Sequence, residues 1–217
     1  HYNKTQTIRA EVQDVSFKNT KTEYYVTRTI DGKTYTEKYT PFTMRKYEDR
    51  CTRRFGKEGR YQVYAVTTDG AGNRTRSNTL RFVVDKTAPK LAISGVESGS
   101  MNGDSVTLQF ALTDSFYMTT DASIRIEKTL DGGTTHSEVT SFPKKGKYSS
   151  LNRTFDEDGT YDITFMAKDR AGNVAKSEKI SFSVDQTKPE IQITGTSNYE
   201  QWDRPVTVRF AVEESYY

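Results

Sequence analysis

The chain has 217 residues, a formal net charge of +3 and only 33% hydrophobic residues, although 14 Tyr and 11 Phe supply large apolar surfaces. Its 32 basic and 29 acidic residues are interspersed, which offers no concentrated patch for nucleic acid or for an anionic membrane. No window approaches the ~20 apolar residues of a membrane helix. The single cysteine, Cys51, excludes an intrachain disulfide, and we expect it to act as a small core residue rather than as a reactive thiol.

The first predicted unit covers residues 1–86. Alternating apolar residues predict strands around Ile8 and Val12 and around Tyr24 and Val26, and Asp31-Gly32 then predicts a hairpin turn. A further strand follows the turn at residues 58–61. A glycine-containing turn, Asp69-Gly70-Ala71-Gly72-Asn73, precedes the last strand at residues 80–85.

The same pattern returns one hundred positions later, and a fixed period of this length indicates a repeated structural unit. Residues 87–186 form the complete unit, with an additional first strand at residues 89–94 and a loop over residues 98–104. We predict seven short strands here and no helix, because the apolar residues alternate with a period of two. The predicted fold class is therefore all-β, with tandem immunoglobulin-like or fibronectin III-like β-sandwiches.

Both ends of the sequence differ from the complete unit. Residues 1–86 lack the first strand, and residues 187–217 contain only the first two strands of a third unit. Two strands cannot bury an apolar face alone. We therefore expect the sequence to be a piece of a longer protein, or the two-stranded tail to pair elsewhere.

Three motifs recur in the same order in the repeated units. A D-G-x-Y sequence enters a strand at residues 158–161, a D-x-A-G-N turn lies at residues 169–173, and V-D-x-T-x-P forms the junction at residues 184–189. With these motifs the chain resembles the tandem bacterial immunoglobulin-like (Big-type) repeats of secreted or surface-anchored Gram-positive proteins. The resemblance implies an extracellular, cell-surface or secreted location. It also implies a spacer or stalk that presents an adhesive or catalytic region located elsewhere in the parent chain.

Four positions are predicted to be structural. Tyr61 and Tyr161 follow Gly turns at the start of the penultimate strand, where sandwich domains place a tyrosine corner whose hydroxyl bonds to the backbone. Gly72 and Gly172 lie in the AGN turns, which are expected to require a positive φ. An exposed, ligand-binding tyrosine is the alternative for Tyr61 and Tyr161.

The sequence shows no catalytic constellation. The two histidines, His1 and His136, are far apart, and no motif for a phosphate loop, a zinc protease or a nucleophile elbow occurs. We therefore expect no enzymatic activity and no cofactor.

A calcium site at a junction is a further hypothesis. This hard cation takes six to eight oxygen ligands. The candidates at the junction after residue 184 are Asp156, Asp158, Asp185, Glu213 and Glu214. The alternative is that Asp185 caps the linker backbone while the acidic turn is solvated.

Aromatic residues in the loops provide the only candidate binding surface. Phe116, Tyr117 and Trp202 could stack on the sugar rings of a glycan or contact a host or extracellular protein. The alternative, which we favour, is that they pack across the junctions between neighbouring repeats. A third hypothesis is self-assembly, in which the tail at residues 189–217 completes the strand-deficient first unit of another copy.

Overall fold

A computed structural model describes residues 1–39, 41–116, 121–130, 132–143, 146–197 and 199–213. Over these residues every regular element is a strand. The same residues contain no helix that is long and apolar enough to span a membrane. The first eight strands are β1 (Gln6–Gln13), β2 (Lys21–Ile30), β3 (Lys33–Lys38), β4 (Phe42–Thr43), β5 (Glu48–Phe55), β6 (Gly59–Thr68), β7 (Arg74–Arg76) and β8 (Leu80–Val84). They are followed by β9 (Lys90–Ser94), β10 (Ser100–Asn102), β11 (Val106–Thr113), β12 (Asp121–Thr129), β13 (Thr135–Ser141), β14 (Tyr148–Phe155), β15 (Gly159–Lys168), β16 (Val174–Lys176), β17 (Ile180–Val184), β18 (Glu190–Thr194) and β19 (Arg209–Glu213).

The first sandwich is built from β1 to β8. One sheet contains β1 and β5, and the other is centred on the long antiparallel pair of β2 and β6. Side chains that alternate along the strands fill the space between the two sheets, among them Tyr24, Val63 and Phe55. Cys51 is buried with them, and burial raises the pKa of its thiol. Asp31 and Gly32 have φ of 49° and 75°. These angles are typical of the two-residue turn that an Asp-Gly pair predicts between β2 and β3.

The second sandwich, from β9 to β17, has the same organisation with one strand more in the smaller sheet. That sheet has the order β14-β11-β9, whereas the larger sheet has the order β10-β17-β15-β12-β13, with β16 paired to β15. Phe110 from the smaller sheet meets Phe165 from the larger one edge-on, with ring centroids 5.7 Å apart. Both rings are fully buried in one apolar cluster.

The predicted number of strands in residues 87–186 is wrong, because the structure has nine rather than seven. The predicted loop over residues 98–104 contains β10, which pairs in parallel with β17, and β16 follows the AGN turn. Both strands have three residues, too few for a period-two pattern to be recognised. Asp131, one hundred positions after the turn residue Asp31, lies outside the described residues.

The tail forms a two-stranded sheet of β18 and β19. The apolar side chains of this sheet are exposed to solvent: Ile191 and Ile193 are each 64% exposed, and Phe210 is 72% exposed. Val206 and Val208 continue the apolar alternation of Phe210 and Val212 in the sequence, but they lie before β19 begins.

Candidate functional site

Two tyrosine hydroxyls tie the penultimate strand of each sandwich to the preceding turn. The Tyr61 hydroxyl donates to the Lys57 carbonyl, and the Tyr161 hydroxyl donates to the Glu157 carbonyl, each at 2.7 Å. Burial raises the pKa of both tyrosines. This is the hydrogen bond that a tyrosine corner makes, and it leaves the hydroxyls engaged within the fold.

The D-x-A-G-N motif forms a turn held by its aspartate. Asp169 accepts hydrogen bonds from the Asn173 backbone N–H at 2.8 Å and from Asn173 Nδ2 at 2.7 Å, and Asp69 accepts the equivalent pair from Asn73. The bonds from Asn73 lower the pKa of Asp69. The glycine inside each turn, Gly72 or Gly172, has φ of 91° or 94°, a conformation that glycine adopts without a Cβ clash.

The second of these turns also contacts the linker that joins the two sandwiches. Asn173 Nδ2 donates to the Asp85 carbonyl at 2.9 Å, whereas Asn73 bonds within its own turn. On the other side, Glu58 Oε1 accepts from the Lys86 N–H at 2.6 Å and from Thr87 Oγ1 at 2.8 Å. The linker is therefore held from the sandwich that precedes it and from the sandwich that follows it.

Phe116 completes this junction. Its side chain is 4% exposed, and its ring lies 5.3 Å from the Arg60 guanidinium carbon and 6.5 Å from the His1 ring. The ligand-binding alternative requires an exposed Phe116 ring, whereas the ring is buried. Residues of the first sandwich cover the loop after β11, in agreement with the favoured alternative that Phe116 packs between neighbouring units.

Asp85 is an unusual carboxyl group at the same junction. It is 1% exposed, and within the described part of the chain its Oδ2 has no hydrogen-bond partner. Burial, together with the smaller effect of the charges of Asp169 and Asp114, raises the pKa of Asp85 to about 7. A buried carboxyl beside other carboxylates favours its neutral form. The burial of the Asp85 carboxyl could not be predicted from the sequence, because it depends on loops from the next sandwich.

Three of the residues considered for calcium accept hydrogen bonds at the second linker. Asp158 accepts from the Gln186 N–H at 2.9 Å and from Thr187 Oγ1 at 2.8 Å. Asp185 Oδ1 accepts from the Thr187 N–H at 3.1 Å, and the Asp156 carbonyl accepts from Gln186 Nε2 at 2.6 Å. Asp158 thus occupies the position that Glu58 has at the first linker.

Two further calcium candidates are Glu213 and Glu214. Glu213 lies in β19, and Glu214 lies outside the described residues. Across residues 1–213, apart from the positions that the structure does not describe, no three His, Cys, Asp or Glu side chains form a group that could hold a metal ion.

The structure describes one further aromatic candidate, Trp202. Trp202 is 46% exposed, its Nε1 donates to Thr196 Oγ1 at 2.9 Å, and its ring lies 5.8 Å from the Arg204 guanidinium carbon. Tyr117 lies outside the described residues. The structure thus presents Trp202 in the tail, next to the exposed Tyr199, and buries Phe116 between the sandwiches.

A groove of about 500 Å³ runs beside β1. We call it the β1 groove. Its apolar lining comes from both sheets of the first sandwich and includes Ile8, Ala10, Val12, Val63 and Leu80. The depth and lining of this groove could not be predicted from the sequence.

Over the described residues the fold is all-β, and the strands form two β-sandwiches. Residues 87–186 match the family model described as Bacterial Ig-like domain, and the match supports such a domain over the segment that holds the second sandwich. No curated protein matches the chain significantly in sequence.

Two solved structures illustrate the similarity. The fibronectin(III)-like modules of Clostridium thermocellum CbhA share 17% identity with this chain; 84% of this chain and 86% of that chain are covered, with a TM-score of 0.31. A structure of a 1.5-MDa bacterial ice-binding adhesin shares 16% identity; 90% of this chain and 63% of that chain are covered, with a TM-score of 0.32.

Proposed function

We propose that this chain is a non-catalytic spacer of a bacterial surface or secreted protein, built from consecutive immunoglobulin-like repeats. The observation that carries the proposal is the linker held on both sides, by Glu58 from the first sandwich and by Asn173 from the second. A linker with fixed backbone contacts restricts bending between neighbouring units. Repeats that contact only their neighbours then extend in one direction.

The proposed repeats are residues 1–86, 87–186 and 187–217. Contacts that recur one hundred positions apart support this division, such as the two tyrosine corners and the two acidic caps of the linkers. The bacterial Ig-like match over residues 87–186 supports the extracellular setting. In this proposal the parent protein carries its adhesive or catalytic region elsewhere, and the partners of this segment are the neighbouring repeats.

Small-angle X-ray scattering tests the spacer. We expect the wild-type chain to give a narrow distribution of interatomic distances, because the junction is buried and hydrogen-bonded. The double variant Phe116→Ala/Asn173→Ala should broaden this distribution, whereas Asn73→Ala, which alters a turn without a bond to the linker, should not. A wild-type distribution as broad as that of the double variant would refute a stiff spacer.

A second candidate function is an adhesive module that contacts a glycan or a host protein. The observation that favours it is the exposure of Trp202 and Tyr199 on one loop of the tail, since aromatic rings with open faces stack on sugars. An array of glycans and extracellular-matrix proteins, probed with and without calcium, tests it. Binding that the Trp202→Ala substitution abolishes would support the adhesive function. An array without any signal would contradict the adhesive function and favour the spacer function.

A further inference from the structure

The two sandwiches carry charge of opposite sign. Residues 1–86 contain 18 basic and 10 acidic residues, whereas residues 87–186 contain 11 basic and 14 acidic residues. The two signs are interspersed along the sequence, so only the fold decides whether the excess of cations in the first sandwich forms a surface. A charge asymmetry between two neighbouring units is typical of a chain in which one unit meets a charged partner.

The fold brings these cations together on the outward face of the larger sheet of the first sandwich. Strand register places the outward side chains of β3, β2, β6, β7 and β8 side by side, and they include six cations and a single carboxylate. One of the cations, Arg60, lies over the Phe116 ring and belongs to the junction. We call the remainder of this surface the basic face. Its exposed cations are Lys21, Lys38, Arg74, Arg76 and Arg81.

The single carboxylate of the basic face, Glu23, is already engaged. It forms a salt bridge with Lys38 at 3.0 Å and accepts a hydrogen bond from the Tyr25 hydroxyl at 2.9 Å. Within the described part of the chain, the side chains of Lys21, Arg74 and Arg81 make no hydrogen bond or salt bridge. Three cations of this face therefore remain available to an anionic partner.

The second sandwich gives the comparison at the same positions. The outward side chains of its larger sheet are balanced in charge. They include three cations and three carboxylates, namely Arg125, Lys168, Lys176, Asp121, Glu127 and Asp162. This face is also open to solvent, with Val139 65% and Val174 56% exposed, although β9 completes the smaller sheet there. An open larger sheet is thus common to both sandwiches, and the excess of cations is particular to the first.

Two tyrosine rings order the cations at the centre of the basic face. Tyr25 and Tyr64 lie opposite each other on β2 and β6, with their ring centroids 5.1 Å apart and their planes within 2° of parallel. The Arg76 guanidinium carbon lies 3.9 Å from the Tyr64 centroid, and Lys38 Nζ lies 5.4 Å from the Tyr25 centroid. Cation–π contacts of this kind hold long side chains in place. Cations that are ordered in advance lose less conformational entropy when a partner binds.

The same arrangement restricts the chemistry of the partner. The rings face each other and the flanking cations, so neither ring offers an open face on which a nucleobase stacks. The apolar residues of this face, Val66 and Val83, are buried and cannot insert into a membrane. Between the cations lie Thr27, Thr36 and Gln62, whose hydroxyl and amide groups can hydrogen-bond to sugar hydroxyls. Positive charge beside such polar side chains fits an acidic polysaccharide.

We propose that the basic face binds an anionic polysaccharide, a linear chain of sugars that carry carboxylate or sulfate groups. Lys21 and Arg74 flank Thr68, one strand on each side, so their backbones are about 10 Å apart, and Arg76 follows about 7 Å farther along β7. An extended chain that crosses the sheet therefore meets several cations in succession. This binding goes beyond the spacer function, which requires no basic face.

Affinity measurements on the full 217-residue chain test the proposal, with heparin as a sulfated probe and polygalacturonate as a carboxylated probe. We expect binding that weakens as the salt concentration increases, because exposed charges are screened. The triple variant Lys21→Gln/Arg74→Gln/Arg81→Gln should weaken binding at low salt by at least about tenfold. Binding of heparin alone would identify sulfate as the recognised group, binding of polygalacturonate alone would identify carboxylate, and either result supports the proposal.

The matched control removes the same charge from the opposite side of the first sandwich. It is the variant Lys46→Gln/Arg50→Gln/Arg54→Gln, whose exposed residues lie before or within β5 of the smaller sheet. An equal loss of affinity in this control would show that binding follows net charge rather than the basic face, and the proposal would be overturned. It would also be overturned if the wild type bound neither acidic probe, or bound neutral dextran or duplex DNA as tightly as the acidic probes.

Lysine acylation of the wild-type chain locates the contact without any substitution. Addition of the acidic probe that binds should protect the Lys21 amine from acylation and should leave the Lys46 amine reactive, as measured by mass spectrometry of the peptides. Equal protection of the two amines, or none at Lys21, would contradict binding at the basic face. The scattering test of the spacer is made without polysaccharide, so the two proposals fail separately.

Discussion

The substitution Asp85→Asn should stabilise the protein at neutral and higher pH. In the folded protein the Asp85 carboxyl is buried beside Asp114 and Asp169, and one of its oxygens lacks a partner among the described residues. Ionisation therefore costs free energy that the unfolded chain does not incur. The amide is nearly the same size and carries no charge, so it removes this cost.

The sign and the size of the effect follow from the pKa of Asp85, which rises from 3.8 to about 7. Because the folded pKa is the higher one, the contribution of Asp85 to stability is fully present below pH 3.8 and is lost as the pH rises through about 7. The complete shift corresponds to at most about 4 kcal/mol. The difference in unfolding free energy between Asp85→Asn and the wild type should therefore grow over this window and level off above it.

Urea denaturation between about pH 5 and pH 8 measures the difference. Asp185→Asn is the matched control, because it makes the same change at the second linker, where the side chain is only partly buried. A wild type whose stability relative to Asp85→Asn does not fall with increasing pH would refute the reasoning. So would a calcium-dependent stabilisation at pH 8 that Asp85→Asn abolishes, since the carboxylates would then hold a cation rather than repel one another.

Further predictions concern the corners and the junction. Tyr161→Phe and Tyr61→Phe should each lower the unfolding free energy by about 1 kcal/mol through the loss of one hydrogen bond; an unchanged denaturation midpoint would show that the hydroxyl contributes nothing. Asn173→Ala should cost about 1 kcal/mol more than Asn73→Ala, because only Asn173 also bonds to the linker, and equal costs in the same assay would contradict this. Phe116→Ala should cost about 3 kcal/mol in calorimetric unfolding, and a loss near zero would indicate that its ring is not buried in solution.

Much of the fold could be predicted from local pattern. The alternation of apolar residues identified the long strands, because every second side chain of a half-buried strand faces the core. The Asp-Gly pair at residues 31–32 identified the turn between β2 and β3, and the Tyr after a glycine turn indicated the corner hydrogen bonds at Tyr61 and Tyr161. These features depend on neighbours that are close in the sequence.

The rest depends on parts of the chain that meet only after folding. β10 is held by its parallel pairing with β17, some eighty positions later, and no periodicity in three residues reveals it. Phe116 is buried at the junction, as the favoured alternative of packing between repeats expects, and Asp85 is buried at the same junction, which no local pattern indicates. A carboxyl that is harmless in water becomes costly to ionise when it is buried, and nearby carboxylates add to this cost; both conditions depend on the junction.

The parallel pairing of β10 with β17 determines how the second sandwich responds to tension. β10 lies near the start of this sandwich and β17 at its end, and both run in the same direction. A load applied to the two ends of the chain therefore pulls these strands in opposite directions along their length, so that their hydrogen bonds must break together rather than one after another. The first sandwich has a corresponding contact between its start and its last strand. There the Tyr2 N–H donates to the Val83 carbonyl and the Asp85 N–H donates to the Tyr2 carbonyl, each at 2.9 Å. In single-molecule pulling we therefore expect both sandwiches to unfold as separate, abrupt events, and a gradual extension would show that these strands do not bear the load.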